Sequence, residues 1–185
     1  VDGKTVTLTG MSKGAGMIRP DMATMLAFMA TDASVPQGLL DTLFKNAIDS
    51  SFNRITVDGD TSTNDAAVIA ATGCSGVVID EHTPHVVQRF SEALESLCIE
   101  LAQAIIRDGE GATKFVEVRV EGGATATECD AVAYTIAHSP LVKTALFASD
   151  PNWGRLLAAI GRAGLESLVV EDVSVYINDV LIAER

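Results

Sequence analysis

A long amphipathic pattern between residues 84 and 106 constrains the fold more strongly than any other feature of the sequence. Apolar side chains recur there every three or four residues with glutamates mostly between them, which is the period of an α-helix with one buried face. The apolar positions are Val86, Val87, Phe90, Ala93, Leu94, Leu97, Leu101 and Ile105. A helix of this length has to pack its stripe against another layer, so the sequence predicts a layered domain.

Shorter patterns predict the remaining helices and strands. The predicted helices start at Pro36 and cover 126–138, 141–147 and 155–162. The predicted strands are 4–8, 54–57, 115–120 and 173–177, and Gly10 is expected to end the first of them. The apolar segment 24–30 is expected to be buried as strand or helix. Helices grouped against strands, without repeats, predict an α+β layered sandwich.

Composition limits the classes of partner and compartment. The 185 residues are 48% hydrophobic, enough for one main domain over 1–185, and the net charge of −12 argues against nucleic acid or an anionic membrane as partner. No apolar run reaches the roughly 18 residues that a membrane span needs. The three cysteines are odd in number, without a CxxC pair, and are expected to be reduced core residues. They are Cys74, Cys98 and Cys129.

The bond between Ala23 and Thr24 is the most informative site for chemistry. Cleavage there would give one residue both a hydroxyl and a free α-amine. The amine, with a pKa of about 8, can accept the hydroxyl proton and activate the threonine without a histidine. Taken alone, however, an Ala-Thr pair is more typical of a threonine in the core.

Three blocks of sequence favour the nucleophile over a core threonine. Together they resemble the ornithine acetyltransferase family, also called the glutamate N-acetyltransferase family, of arginine biosynthesis. The blocks are KGAGMIRPDMATMLAFMATDA at 13–33, FNRITVDGDTSTNDAA at 52–67, and RDGEGATKF at 107–115 with SDPNWGR at 149–155. The resemblance implies a layered αββα-like sandwich, similar to the N-terminal-nucleophile hydrolases but with different connectivity. It also implies that 1–185 is an interior part of a longer protein.

The resemblance further implies a self-cleaving acetyltransferase with Thr24 as nucleophile. The precursor would cut itself between Ala23 and Thr24, so that 1–23 ends the α chain and 24–185 begins the β chain of a heterotetramer of two α and two β chains. Thr24 would carry the acetyl group from N-acetylornithine to glutamate by ping-pong chemistry. No cofactor or metal is expected, acetyl-CoA is an open co-substrate, and the location is cytoplasmic, or the mitochondrial matrix in a eukaryote. The family's oxyanion donors lie outside this chain.

Lys13 and Glu110 are assigned to substrate binding by the resemblance, together with Thr24. Lys13 is followed by glycines, which leave its ammonium accessible to a carboxylate. Glu110 lies between Gly109 and Gly111, where its carboxylate can bind an amine. The two residues predict a clamp for the opposite charges of an amino acid. The alternatives are an ordinary surface lysine and an exposed turn glutamate.

The acidic loop from Asp58 to Asp65 resembles a calcium loop but fails its test. An EF-hand needs glycine at its sixth position and glutamate at its twelfth, where this sequence has Thr63 and Ile69. We therefore expect a turn that is capped by its own polar side chains. The block around Trp153 is expected to be a structural turn packed by that tryptophan.

Two other functions remain open. An autoprocessing aminopeptidase or amidase would use the same nucleophile but transfer acyl groups to water, and glutamate would not capture them. A non-catalytic amino-acid-binding domain would keep its ligand after Thr24→Ala.

Overall fold

The chain divides into two compact units, residues 1–112 and 113–185. The structure, a computed structural model, describes residues 3–19, 25–61, 64, 66–166 and 168–184. Both helices and strands occur in each unit, so the predicted α+β class is confirmed. One main domain over 1–185, with its division between 23 and 24, stays a prediction. Within the described ranges, no helix is both long and apolar enough to cross a membrane.

Unit 1 is built on a three-stranded sheet. The strands are β1 at Leu8–Lys13, β2 at Leu26–Thr31 and β3 at Ala66–Ala71. Strand β2 lies in the middle, antiparallel to β1 and parallel to β3. Alternate side chains point to opposite faces, and the face that includes Ala27 and Met29 is buried. The other face is largely exposed.

Two helices form one core with the buried face of the sheet. Helix α1 spans Gln37–Ser50 and helix α2 spans Pro84–Arg107, with a 3₁₀ turn at Phe52–Arg54. Helix α2 packs against α1 and β1. The predicted long helix is therefore confirmed. Seven of its eight predicted apolar positions, all except Ala93, lie in the core of unit 1 or pack against it.

The first strand begins later than the sequence pattern predicts. Residues 4–7 are irregular, and the strand runs through Gly10, which was expected to end it. Glycine suits this position because β1 packs so closely against β2 and α2 that a side chain would have little room. A Cβ on Gly10 would lie 2.8 Å from Cγ of Met29 and 3.0 Å from Cδ1 of Leu101. Close packing, and not a turn, explains this glycine.

Two further predicted strands are wrong. Residues 54–57 end a 3₁₀ turn and continue as irregular chain, and residues 115–120 are irregular as well. Alternation creates one apolar face, and Val118 and Val120 do pack against the core of unit 2. A strand also needs a neighbour to bond, and within the described residues no strand pairs with 115–120.

Unit 2 contains three helices and a hairpin. Helix α3 spans Ala126–Ala137, α4 Pro140–Phe147 and α5 Trp153–Gly161, while β4 at Val175–Ile177 pairs with β5 at Val180–Ala183. The three predicted helices are confirmed, and the strand predicted at 173–177 forms over its second half. Side chains cap each helix: Thr125, Ser139 and Asn152 accept from backbone amides in the first turns.

Candidate functional site

The predicted cleavage site lies outside the described residues, since Ala23 and Thr24 fall in the gap from 20 to 24. Met25, the first described residue after Thr24, is 2% exposed, and its carbonyl accepts a hydrogen bond of 3.0 Å from the amide of Ala66. Leu26, two residues after Thr24 in the sequence, pairs with Lys13 on one side and Ala66 on the other. The chain is therefore tied on both sides directly after the gap.

Lys13 ends β1 opposite Leu26. Its side chain is exposed, and the alternation of β1 places it on the open face of the sheet, next to Met11 on the same face. Among the described residues its ammonium has no ion-pair partner within 4.0 Å. The charge is thus accessible to an anionic ligand.

The segment from Ala15 to Arg19 follows Lys13 and is held by two other loops. Loop 56–61 binds it at Ile18, whose carbonyl accepts from the amide of Val57 at 2.7 Å and the hydroxyl of Thr56 at 3.1 Å. Thr61 donates to the carbonyl of Arg19 at 3.2 Å. Ile18 is fully buried in the core of unit 1, which anchors the segment.

Glu110 approaches the same segment from the end of α2. Its amide donates to the carbonyl of Ala15 at 2.8 Å, two residues beyond Lys13. A Cβ built on Gly16 would lie 3.5 Å from Oε2 of Glu110, so the glutamate side chain lies beside this glycine. The carboxylate has no hydrogen-bond partner among the described residues. The fold thus brings Glu110 to the glycine segment next to Lys13, with both charges open to a ligand.

Asp58 makes a contact that the sequence did not predict. The loop was expected to cap itself, and Asp58 does accept from the amide of Asp60 at 3.0 Å. It also binds the amides of Met17 at 2.6 Å and Ile18 at 3.0 Å, some 40 residues away in sequence. The signal available was an Asp-Gly pair inside a family block, but neither residue type nor spacing identifies a distant partner.

Other chemistry-bearing residues lie apart from these loops. Trp153 is 55% exposed at the start of α5, so the expectation that it packs the turn is wrong; Asn152 holds the turn by capping the amide of Arg155. Cys98 is fully buried, and burial raises its pKa to about 11, whereas Cys74 is exposed, contrary to expectation. Among the described residues, no three His, Cys, Asp or Glu side chains form a group that could hold a metal.

An open groove of about 460 Å³ lies on the helical layer of unit 1. It is lined by residues of α1 and α2, including Leu39, Leu43 and Val87, and mostly by apolar atoms. Its lining includes Glu81 and Glu92 but none of Lys13, Asp58 and Glu110, so it is separate from the residues assigned to substrate binding.

Comparison with known proteins gives consistent matches. The model of the ArgJ family matches residues 1–185. Two curated relatives carry the name arginine biosynthesis bifunctional protein ArgJ: that of Pseudomonas fluorescens (strain Pf0-1) is 55% identical over 185 residues, and that of Psychrobacter arcticus is 58% identical over 188. Each match covers 100% of this chain and 46% of the relative, so the chain spans about half the length of the curated relatives it matches.

A solved structure matches as well. The crystal structure of arginine biosynthesis bifunctional protein ArgJ from Bacillus halodurans has a TM-score of 0.80 and 43% sequence identity, over 85% of this chain and 74% of that chain. The fold described above is therefore shared with that protein.

Proposed function

The chain belongs to the ArgJ family, and from that premise we propose that the full-length protein moves the acetyl group of N-acetylornithine to glutamate. The observation that carries the proposal is the family match over the whole chain, together with the Ala23-Thr24 pair that precedes strand β2 in the sequence. The names of the relatives place them in arginine biosynthesis and support a transferase of this kind.

Thr24 is proposed as the nucleophile, made by self-cleavage after Ala23. Its hydroxyl attacks the acetyl carbonyl of N-acetylornithine, and its own amine accepts the proton and returns it to the leaving amine of ornithine. The acetyl group stays on Thr24 as an ester. The α-amine of glutamate then attacks this ester, giving N-acetylglutamate and restoring the hydroxyl. Two half-reactions at one site predict ping-pong kinetics.

Lys13 and Glu110 are proposed to bind the amino-acid part of both substrates. Lys13 supplies a positive charge for a carboxylate, and Glu110 a negative charge for an amine. Two observations support this role. The amide of Glu110 bonds to the carbonyl of Ala15, which brings Glu110 to the segment after Lys13, and neither side chain has an ion-pair partner among the described residues. The same proposal includes a tetramer of two α and two β chains, a cytoplasmic location and a reaction without any cofactor. It also includes acetyl-CoA as an alternative acetyl donor.

The test uses the full-length protein and its Thr24→Ala variant, with Thr9→Ala in the exposed strand β1 as control. Intact-mass measurement and N-terminal sequencing should show two fragments, one beginning at Thr24, in the wild type and the control but not in Thr24→Ala. The cleaved protein should then move labelled acetyl from N-acetylornithine to glutamate. An uncut wild-type chain contradicts the self-cleavage mechanism, and release of acetate unaffected by glutamate indicates an amidase instead.

A further inference from the structure

The carboxylate of Asp58 binds two successive backbone amides of the segment that leads towards the proposed cleavage site. Oδ2 accepts from Met17 at 2.6 Å and Oδ1 from Ile18 at 3.0 Å. Met17 has a left-handed backbone with φ of 56°, which is unusual for a residue other than glycine. Successive amides next to such a residue form a concave nest that favours an anion, and here the anion is a side chain of the protein itself.

Asp58 is held by its own loop as well as by the nest. Oδ1 also accepts from the amide of Asp60 at 3.0 Å, and Gly59, with φ of 84°, allows the tight turn. On the other side of Asp58, the amide of Val57 donates to the carbonyl of Ile18 at 2.7 Å. The acceptor is thus fixed in place by bonds that do not involve any ligand.

The nest lies beside the glutamate proposed to bind substrate. A Cβ built on Gly16 would lie 3.5 Å from Oε2 of Glu110 and 4.0 Å from Oδ2 of Asp58, so the two carboxylates flank this glycine. Both oxygens of Asp58 are engaged by backbone amides, whereas the carboxylate of Glu110 has no hydrogen-bond partner among the described residues. Asp58 is therefore built to hold the backbone, and Glu110 remains open to a ligand.

We propose that Asp58 is a positioning residue of the acetyl-transfer site. By binding the amides of Met17 and Ile18, it fixes the backbone of 16–18. This sets the place of Glu110 beside Gly16 and holds the described segment that precedes Ala23-Thr24 in the sequence. The inference rests on the proposed function, because it gives Asp58 a part in self-cleavage and in substrate binding. Small displacements of reacting groups lower rates steeply, so loosening this backbone has a measurable cost.

The experiment compares Asp58→Asn, Asp58→Glu and Asp60→Asn in the full-length protein. Asp58→Asn replaces one acceptor oxygen by an NH₂ group, which cannot accept from either amide. Asp60→Asn is the matched control, because Asp60 is an exposed aspartate of the same loop whose side chain makes no hydrogen bond among the described residues. The readouts are the rate of cleavage before Thr24, kcat and KM for N-acetylornithine and for glutamate, and the melting temperature.

We expect Asp58→Asn to slow self-cleavage about tenfold or more and to raise both KM values, while its melting temperature stays within about 4 °C of Asp60→Asn. Asp58→Glu keeps the charge but moves it by one methylene, so its values should lie between those of wild type and Asp58→Asn. Wild-type cleavage and KM values in Asp58→Asn would overturn the inference. So would activity losses that follow the fall in melting temperature across the three variants, since that pattern indicates general destabilisation.

The design separates the inference from the function on which it rests. A wild-type protein that neither cuts itself nor transfers acetyl contradicts the proposed function and takes the inference with it. A wild-type protein that does both, with an Asp58→Asn variant that matches it, overturns only the positioning role. If Asp58→Asn is unfolded at the assay temperature, the same comparison between Asp58→Glu and Asp60→Asn decides the question.

Discussion

Gly10 lies where strand β1 packs closely against the long helix α2. A Cβ at this position would lie 2.8 Å from Cγ of Met29, a distance that real Cβ atoms essentially never show. It would also lie 3.0 Å from Cδ1 of Leu101, which is tighter than most real Cβ contacts. Interiors are packed as densely as organic crystals, so an added methyl group has to displace its neighbours. The absent side chain is therefore part of the packing between the sheet and its helix.

The variant Gly10→Ala should be destabilised by about 1–3 kcal/mol, because the methyl group forces Met29 and Leu101 out of their positions. Gly38→Ala is the matched control, since nothing lies within 4 Å of its Cβ position in helix α1. That change should stabilise by about 0.5–1 kcal/mol through the lower entropy of the unfolded chain. Urea unfolding of both variants checks the opposite signs, and equal effects would contradict the close packing of Gly10.

Because of Cys98, the stability of unit 1 should depend on pH in the alkaline range. Its sulfur lies 3.5 Å from Sδ of Met29 in the core, and burial raises its pKa from 9.0 to about 11. The unfolded thiol loses its proton above about pH 9, while the folded thiol keeps it up to about pH 11. The folded state thus binds more protons in this window, and its stability falls as the pH rises through it.

Between pH 8 and pH 10.5 the unfolding free energy of the wild type should fall. In Cys98→Ala this fall should be smaller, by on the order of 2 kcal/mol. The variant will be less stable at every pH because of the cavity, so the comparison is between slopes and not absolute values. Cys74→Ala, at an exposed thiol, should keep the wild-type slope. The same slope in all three proteins would show that Cys98 does not titrate differently in the folded state.

At the scale of secondary-structure elements, one guanidinium group connects α5 to α4. One nitrogen of Arg155 donates both to the carbonyl of Leu141 and to the hydroxyl of Thr144, each at 2.9 Å. The carbonyl of Leu141 also accepts from Thr144. Two short helices, of eight and nine residues, have little packing surface of their own, so a polar bridge contributes to holding them together.

Removal of this bridge should destabilise unit 2. Arg155→Ala is expected to lower the unfolding free energy by about 1 kcal/mol, the net value of hydrogen bonds to a charged donor that is partly exposed. Arg119→Ala is the control: that side chain is 73% exposed and, among the described residues, forms ion pairs with the exposed Glu117 and Glu121, so its loss should cost under about 0.5 kcal/mol. Thermal unfolding monitored in each variant tests the difference, and equal losses would contradict the bridge.

The helices could be predicted from the sequence because each one carries its own signal. The stripe of α2 and the short apolar segments of α3 and α4 are local patterns, and all three helices form within two residues of their predicted bounds. Strands depend on neighbours that lie elsewhere in the chain. For this reason 115–120 alternates without pairing among the described residues, and β1 forms at 8–13 instead of 4–8.

In the candidate site, too, the sequence could identify residues but not the contacts between distant parts of the chain. Lys13 and Glu110 could be named from a family block, since short motifs keep chemical groups in order along the chain. That Glu110 bonds to Ala15, and that Asp58 holds Met17 and Ile18, could not be predicted, because loops separated by at least 40 residues meet there only through the fold. The roles of Lys13, Thr24 and Glu110 stay predictions.

At the scale of the whole molecule, the sheet of unit 1 presents an apolar row on its open face. Met11, Phe28 and Val68 are direct neighbours across the three strands and are 68%, 50% and 50% exposed. Contiguous apolar surface of this kind is rare on isolated soluble domains. The match covers 46% of the curated relatives, so sequence beyond this chain is available in such proteins to cover the row.

The isolated 185-residue chain should therefore bind an apolar dye such as anilinonaphthalene sulfonate through this row. Phe28→Thr should lower the dye fluorescence and change the unfolding free energy by less than about 1 kcal/mol, because threonine suits a strand and the side chain is half exposed. Val180→Thr, at an apolar residue of β5 that is 63% exposed and outside the row, should leave the fluorescence unchanged. Equal fluorescence in both variants would show that the dye binds elsewhere. In the full-length protein, a larger loss of stability from Phe28→Thr than in the isolated chain would indicate that the row is covered there.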